Sequence, residues 1–272
     1  MYIKIIIVIF LIIFEIFFIF FVIQNKIIYK SFLSTGEIKI GETMTLVTSD
    51  NQSIDVHFID NNSDTDIYFF HGAIMKPKVH NKICNKLTKN NKFNIFALIY
   101  RGYSNLYKNA SSSEIGIMLD IKTFHDYISK NRNTSKKIII GHSLGCAASL
   151  YFLSLFNSTE QFLCVLENPF YSFKTVLYEK WYHAFISFLV VSDWPNYLRI
   201  EKINKENCKF LFIISGKDEY ISNKNTEKLL NHLKNNSYEK FFMENATHFD
   251  CGKYEEYYET IFTFIEKNLY FL

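Results

Sequence analysis

Proline and glycine are scarce in this 272-residue chain, at three and nine residues. That scarcity excludes collagen-like, linker-rich and low-complexity architectures. The five cysteines (Cys84, Cys146, Cys164, Cys208 and Cys251) are odd in number and contain no CxxC pair. Such spacing fits neither a disulfide framework nor a zinc site, so they read as small buried hydrophobes. There is no HExxH run and no Gly-rich dinucleotide fingerprint, and residues 36–43 have P-loop glycine spacing but carry Glu42 where the lysine must stand. No metal and no cofactor is expected. A surplus of one charge is missing too. Lys4, Lys26 and Lys30 against Glu15 account for +2 of the net +3, and removing them from totals of 30 and 27 leaves 27 basic against 26 acidic residues. A near-neutral body without a basic run has no electrostatic footprint for nucleic acid.

The chain is rich in apolar residues, at 49%, with 21% charged. That balance describes a globular protein, and the length suits one sizeable domain. Residues 5–23 are apolar except for Glu15, long enough to cross a bilayer core. Phe20-Phe21-Val22-Ile23-Gln24-Asn25 offers no small-residue cleavage site, which favours an uncleaved anchor through residues 5–23 over a removable signal peptide. Glu15 costs about 2.5–3.5 kcal/mol on insertion scales, less than the rest of the segment supplies. The lysines flanking the segment nearly balance, so neither the side faced by the body nor the membrane concerned (plasma or internal) is defined. The expected organisation is an anchor over 1–30 and a catalytic domain over 31–272.

Beyond the anchor, short apolar runs alternate with helical stretches. Strands are expected at 44–48, 53–59, 66–70, 94–99, 137–140, 162–166, 210–214 and 240–243. Helices are expected at 114–131, 144–155, 224–233 and 253–268. Apolar strands alternating with helices give an α/β fold, a mostly parallel sheet covered on both faces. In such sheets chemistry gathers at the carboxyl ends of the strands.

Three of those ends carry chemical groups. Gly141-His142-Ser143-Leu144-Gly145 lies directly after one strand and before a helix, the context a G-x-S-x-G nucleophile elbow requires. The turn is so tight that side chains two residues either side of the serine would collide. It also sets the Ser143 hydroxyl at a helix N-terminus, whose amides stabilise negative charge. Asp218 follows the strand at 210–214, and His248 follows that at 240–243. The chain order Ser143, Asp218, His248 is that of the α/β-hydrolases. Glu167 and Asp250 are rival acids, Glu167 with a capping alternative and Asp250 with a structural one. His248 would act as general base and Asp218 would fix its tautomer. The backbone amides of Leu144 and of Ala73, in the loop after His71-Gly72, would form the oxyanion hole.

Taken together, His71-Gly72-Ala73, Tyr100-Arg101-Gly102-Tyr103-Ser104, the elbow, Glu167-Asn168-Pro169-Phe170-Tyr171-Ser172 and Gly216-Lys217-Asp218 resemble the membrane-anchored α/β-hydrolase domain-containing proteins. The likeness, over residues 44–269, is to the protein 13 or Bem46-like type. It implies an α/β-hydrolase fold after a single-pass anchor, and a serine hydrolase among relatives that include lysophospholipid lipases and protein depalmitoylases. Departures at Ala73, Ser104, His142 and Phe249 leave every triad member in place.

Residues 168–207 are where a lid would be inserted, and they are aromatic: Phe170, Tyr171, Phe173, Tyr178, Trp181, Tyr182, Phe185, Phe188 and Trp194. An apolar cover over a serine suits an acyl chain, although the same residues would also pack a lid onto the sheet. Arg101 and Tyr103 either line the pocket or build a turn, with Arg101 paired to a carboxylate. Seven N-glycosylation sequons (at Asn51, Asn61, Asn109, Asn133, Asn157, Asn235 and Asn245) carry information only in a lumenal domain. The expected activity is hydrolysis of an ester or thioester of a lipid or acylated protein. A serine peptidase on the same fold, and a non-catalytic membrane-tethered interaction module, are the alternatives.

Overall fold

The computed structural model describes residues 2–29, 31–34, 40–74, 77–89, 92–104, 111–132, 136–157, 159–180, 187, 189–203, 206–233 and 237–272, with backbone alone at 3 and 32. The expected lid aromatics Trp181, Tyr182, Phe185 and Phe188, and the sequons at Asn109, Asn133 and Asn235, lie outside the described residues.

Eight strands form one sheet: β1 (Glu42–Val47), β2 (Ser53–Ile59), β3 (Thr65–Phe70), β4 (Asn94–Ile99), β5 (Lys136–His142), β6 (Phe162–Glu167), β7 (Cys208–Ser215) and β8 (Tyr238–Met243). Their spatial order is β1-β2-β4-β3-β5-β6-β7-β8. β1 and β2 pair antiparallel, β2 joins β4 antiparallel, and every pairing from β4 to β8 is parallel. The central strands read as unbroken apolar runs because both faces are buried and successive side chains enter different cores. Tyr68, Phe70, Phe96, Leu98, Phe210 and Phe212 point into one core, and Ile67, Phe69, Ile95, Ala97, Leu211 and Ile213 into the other. Burying one such side chain contributes about 1.5–3 kcal/mol.

Helices α3 (Glu114–Asn131), α4 (Leu144–Leu153), α6 (Asn196–Lys202) and α7 (Asn223–Leu230) cover the first core; α2 (Pro77–Leu87) and α8 (Glu255–Asn268) cover the second. α5 (Phe173–Glu179) lies in the expected lid segment. α2 is absent from the sequence expectations. Its buried His80, Ile83, Cys84 and Leu87 have helical spacing, but the lysines and asparagines between them mask the stripe. All five cysteines are buried thiols.

α1 (Tyr2–Tyr29) is one continuous helix of 28 residues. At 1.5 Å per residue it is about 42 Å long, longer than the apolar segment 5–23. It is the one helix among the described residues long and apolar enough to cross a membrane, with a mean hydropathy of 3.4 over its most apolar 18 residues. Its described side chains up to Ile19 are exposed, whereas Gln24 and Tyr29 are buried against the body. The sheet places the ends of β3, β5, β6, β7 and β8 along one edge, and the last turns of α1 reach that edge.

Candidate active site

The elbow comes first. β5 ends at His142 and α4 starts at Leu144, leaving Ser143 alone to reverse the chain at φ +54° and ψ −116°. Side chains rarely adopt that region, and the cost is met by surrounding contacts. The Ser143 amide donates to the Glu167 carbonyl at 2.9 Å, tying the turn to the end of β6. A Cβ on Gly141 would stand 2.4 Å from the Gly145 carbonyl, and one on Gly145 only 1.9 Å from that of Phe70. Both obstacles are backbone, so Gly145→Ala must push α4 off the sheet. A loss of more than about 3 kcal/mol is expected, read as a fall in the urea midpoint, because overpacking with no flexible neighbour exceeds the usual range.

Asp218 and His248 arrive on the turns after β7 and β8. His248 Nε2 is 3.0 Å from Ser143 Oγ, and His248 Nδ1 is 2.7 Å from Asp218 Oδ2. With neutral imidazole, Nδ1–H donates to the carboxylate and Nε2 accepts from the serine. The second carboxylate oxygen of Asp218 accepts the Tyr220 and Ile221 amides, both at 2.8 Å, which fixes its orientation. The rival acids are engaged elsewhere. Glu167 accepts from the Tyr257 hydroxyl at 2.9 Å, and Asp250 accepts the Thr247 amide at 2.6 Å within the histidine loop. Leu144, as the first residue of α4, has an amide without an intrahelical acceptor, and Ala73 lies on the same cavity as Ser143 and Leu144.

Several residues that hold this arrangement have roles that the sequence alone does not show. Asn168, at φ +52°, sends its amide nitrogen to Ser215 Oγ and takes the Ser215 amide on its oxygen, both at 2.8 Å. Ser215 Oγ then donates to the Thr247 carbonyl at 3.0 Å. One asparagine therefore joins the ends of β6 and β7 to the loop carrying His248. His142 Nε2–H donates to the His248 carbonyl at 2.8 Å, and the Glu219 carboxylate accepts the His248 amide at 3.3 Å. Apart from the Asn168–Ser215 side-chain pair, each contact is between a side chain and backbone, which residue type alone does not reveal.

Arg101 builds a turn and does not line the cavity: its guanidinium bridges Asp120 and Asp50 at 2.7 and 2.6 Å. Tyr103 is buried, with its hydroxyl 2.5 Å from the Tyr29 carbonyl and 3.2 Å from that of Ala73. It thereby fastens the end of α1 to the loop of Ala73.

His71 is buried between the rings of Tyr100 and Tyr103, its Nδ1 2.8 Å from the Gly72 carbonyl. Burial pushes its pKa down to about 4, and burial likewise lowers that of His142. The unfolded chain then binds protons that the folded chain refuses. Stability is fully present above about pH 6.5, falls as pH drops below it, and has lost the His71 contribution near pH 4. For His71 that contribution is roughly 3 kcal/mol. Urea midpoints measured from pH 7.5 to 4.5 are expected to decline, with a flatter profile in His71→Asn whatever its stability at neutral pH.

The cavity over Ser143 has a volume of about 540 Å³. Its walls are mostly apolar, with Phe170, Phe173, Val176, Leu177, Val190 and Trp194 from the segment after β6. Lys180 and Glu219 are its charged lining residues among the described ones, and the Lys180 ammonium donates to the Glu219 carbonyl at 2.6 Å.

An eight-stranded, mostly parallel sheet with a serine elbow after β5, an acid after β7 and a histidine after β8 is the architecture of the α/β-hydrolase fold. Solved structures bear this out. An esterase of Pyrococcus furiosus superposes with a TM-score of 0.66 at 17% identity, covering 86% of this chain and 99% of that one. An alpha-beta hydrolase of Vibrio vulnificus gives 0.67 at 15%, covering 89% and 92%. A cold-adapted esterase from an Arctic intertidal metagenomic library gives 0.60 at 13%, covering 83% and 92%. At such identities the likeness shows the fold, and the chain has the α/β-hydrolase fold. In sequence it is similar to an uncharacterized membrane protein of Saccharomyces cerevisiae, 28% identical over 173 residues. That match spans 57% of this chain and 57% of the length of that curated relative. No protein-family model matches the chain.

Proposed function

We propose that this chain is a single-pass, membrane-anchored serine hydrolase that cleaves a carboxylic ester or thioester, of a lipid or an acylated protein, through an acyl-enzyme on Ser143. The observation that carries the reading is the unbroken line from Asp218 Oδ2 through His248 to Ser143 Oγ, at 2.7 and 3.0 Å, opening into an apolar cavity. In the first half-reaction Ser143 Oγ attacks the acyl carbon and its proton passes to His248 Nε2. The oxyanion is received by the amides of Leu144 and Ala73, and the imidazolium is stabilised by Asp218. His248 then protonates the departing alcohol or thiol. Water, activated by the same imidazole, releases the acid in the second half.

Anchoring through α1 is supported by its length and apolarity and by the name of the yeast relative. The segments Tyr100-Arg101-Gly102-Tyr103 and Glu167-Asn168-Pro169-Phe170 carry the further reading as a Bem46-like, protein 13 type member. An exopeptidase needs a charged anchor for a peptide end, and Lys180 and Glu219 are both engaged, Lys180 with the Glu219 carbonyl and Glu219 with the His248 amide. The test is turnover by the full-length protein in lipid nanodiscs of matched p-nitrophenyl esters, acyl-thioesters and p-nitroanilides. Esters and thioesters are expected to be hydrolysed well above the anilides. Preferential cleavage of the anilides would support the peptidase, and a folded protein inert towards all three would support the binding module.

A further inference from the structure

The anchor helix does more than precede the catalytic body. Phe20, Gln24, Ile27 and Ile28 fall at i, i+4, i+7 and i+8 on one face of α1, and all four line the cavity that contains Ser143 and His248. Phe20 to Ile28 is about 12 Å along the helix axis. The cavity wall therefore follows α1 for more than two turns.

This end of α1 is held in place by specific bonds. Gln24 Oε1 accepts the Val191 amide at 2.9 Å, the Tyr29 hydroxyl donates to Ser192 Oγ at 3.0 Å, and the Trp194 indole N–H donates to the Tyr29 hydroxyl at 3.0 Å. On the opposite side Tyr103 meets the Tyr29 carbonyl and the Ala73 carbonyl together. With Gln24 engaged by its neighbours, the surface that this face offers is aliphatic and aromatic. A soluble head group would find no partner on it. Immediately before Phe20 the described side chains of α1, back to Tyr2, are exposed, and that stretch is the one suited to lipid.

From this juxtaposition, which rests on the serine hydrolase reading above, we propose that α1 is one wall of the acyl-binding site. The scissile carbonyl sits at Ser143, and the acyl chain runs back along Ile28, Ile27 and Phe20 towards the bilayer from which it came. The substrate class is then a long-chain acyl ester or thioester resident in the same membrane, entering alongside the anchor with its chain kept out of water. Chain-length preference is set by the anchor's own side chains.

The experiment uses full-length protein in nanodiscs and the ratio of kcat/KM for a palmitoyl thioester to that for the butyryl homologue. Ile28→Trp and Ile27→Trp narrow the channel and are expected to lower the ratio at least tenfold. Phe20→Ala widens its far end and is expected to raise the ratio, a movement in the opposite direction that simple destabilisation does not produce. Phe14→Leu, on the exposed stretch outside the cavity, is expected to leave the ratio unchanged. Ratios that stay within twofold of wild type in all three cavity variants, or that fall in all three, would overturn the inference while leaving the hydrolase standing. A folded wild type that hydrolyses neither homologue would overturn the hydrolase reading, and the inference with it.

Discussion

Ser143→Ala and His248→Ala are each expected to lower kcat for an ester substrate by about four to six orders of magnitude. In the proposed mechanism nucleophile and base act as one unit, joined by a 3.0 Å contact, so losing either would leave only the oxyanion amides and the cavity. The double variant should then be little worse than either single one, because the second substitution removes a group already idle. Ser143 stands at a backbone conformation alanine adopts no more readily, and its side chain makes no capping bond to α4. The one side-chain bond lost is that to His248, and a typical hydrogen bond contributes about 0.5–1.5 kcal/mol, so the unfolding free energy of Ser143→Ala should stay within about 1.5 kcal/mol of wild type. A steady-state assay at saturating substrate, beside a denaturation curve, checks both statements. Additive losses in the double variant would mean that serine and histidine work independently.

The second large effect separates the acids. Asp218→Asn is expected to lower kcat by about four orders of magnitude, because an amide in place of the carboxylate favours the imidazole tautomer with its proton on Nε2, facing the serine. Glu167→Gln is expected to change kcat only a few-fold: its side chain bonds to the Tyr257 hydroxyl, and an amide oxygen accepts that bond as well. The comparison is internal, since both acids leave neighbouring parallel strands on the same edge of the sheet. A larger loss in Glu167→Gln than in Asp218→Asn would reassign the acid and detach the 2.7 Å contact at His248 from catalysis.

The parts of this site that a reader of the sequence can find are those imposed by backbone geometry. Gly141 and Gly145 are forced by carbonyls that leave no room for a Cβ, and that constraint appears as a motif. Asp218 and His248 are legible by position, because a parallel sheet gathers the ends of its strands. The roles that residue type does not show have a common cause. Asn168 and Ser215 bond to each other and, like Glu219, to backbone groups far along the chain, and such bonds leave no pattern of residue types. α2 is not legible because its apolar face is narrow and set among lysines and asparagines. The apolar helix through 5–23 is legible in the sequence, but the burial of Gln24 and Tyr29 is not. A uniformly apolar helix looks the same on every face, so its amino-acid pattern cannot tell a lipid-facing turn from one that walls a cavity.

The reactivity of Ser143 tests the central claim most directly. Full-length protein in nanodiscs would be treated with a fluorophosphonate, and the adduct located by peptide mass spectrometry in wild type, Ser143→Ala and His248→Ala. The predicted result is a single adduct on Ser143 in wild type and none in either variant. A folded wild type that takes no label, or one that is labelled equally without His248, would contradict the account.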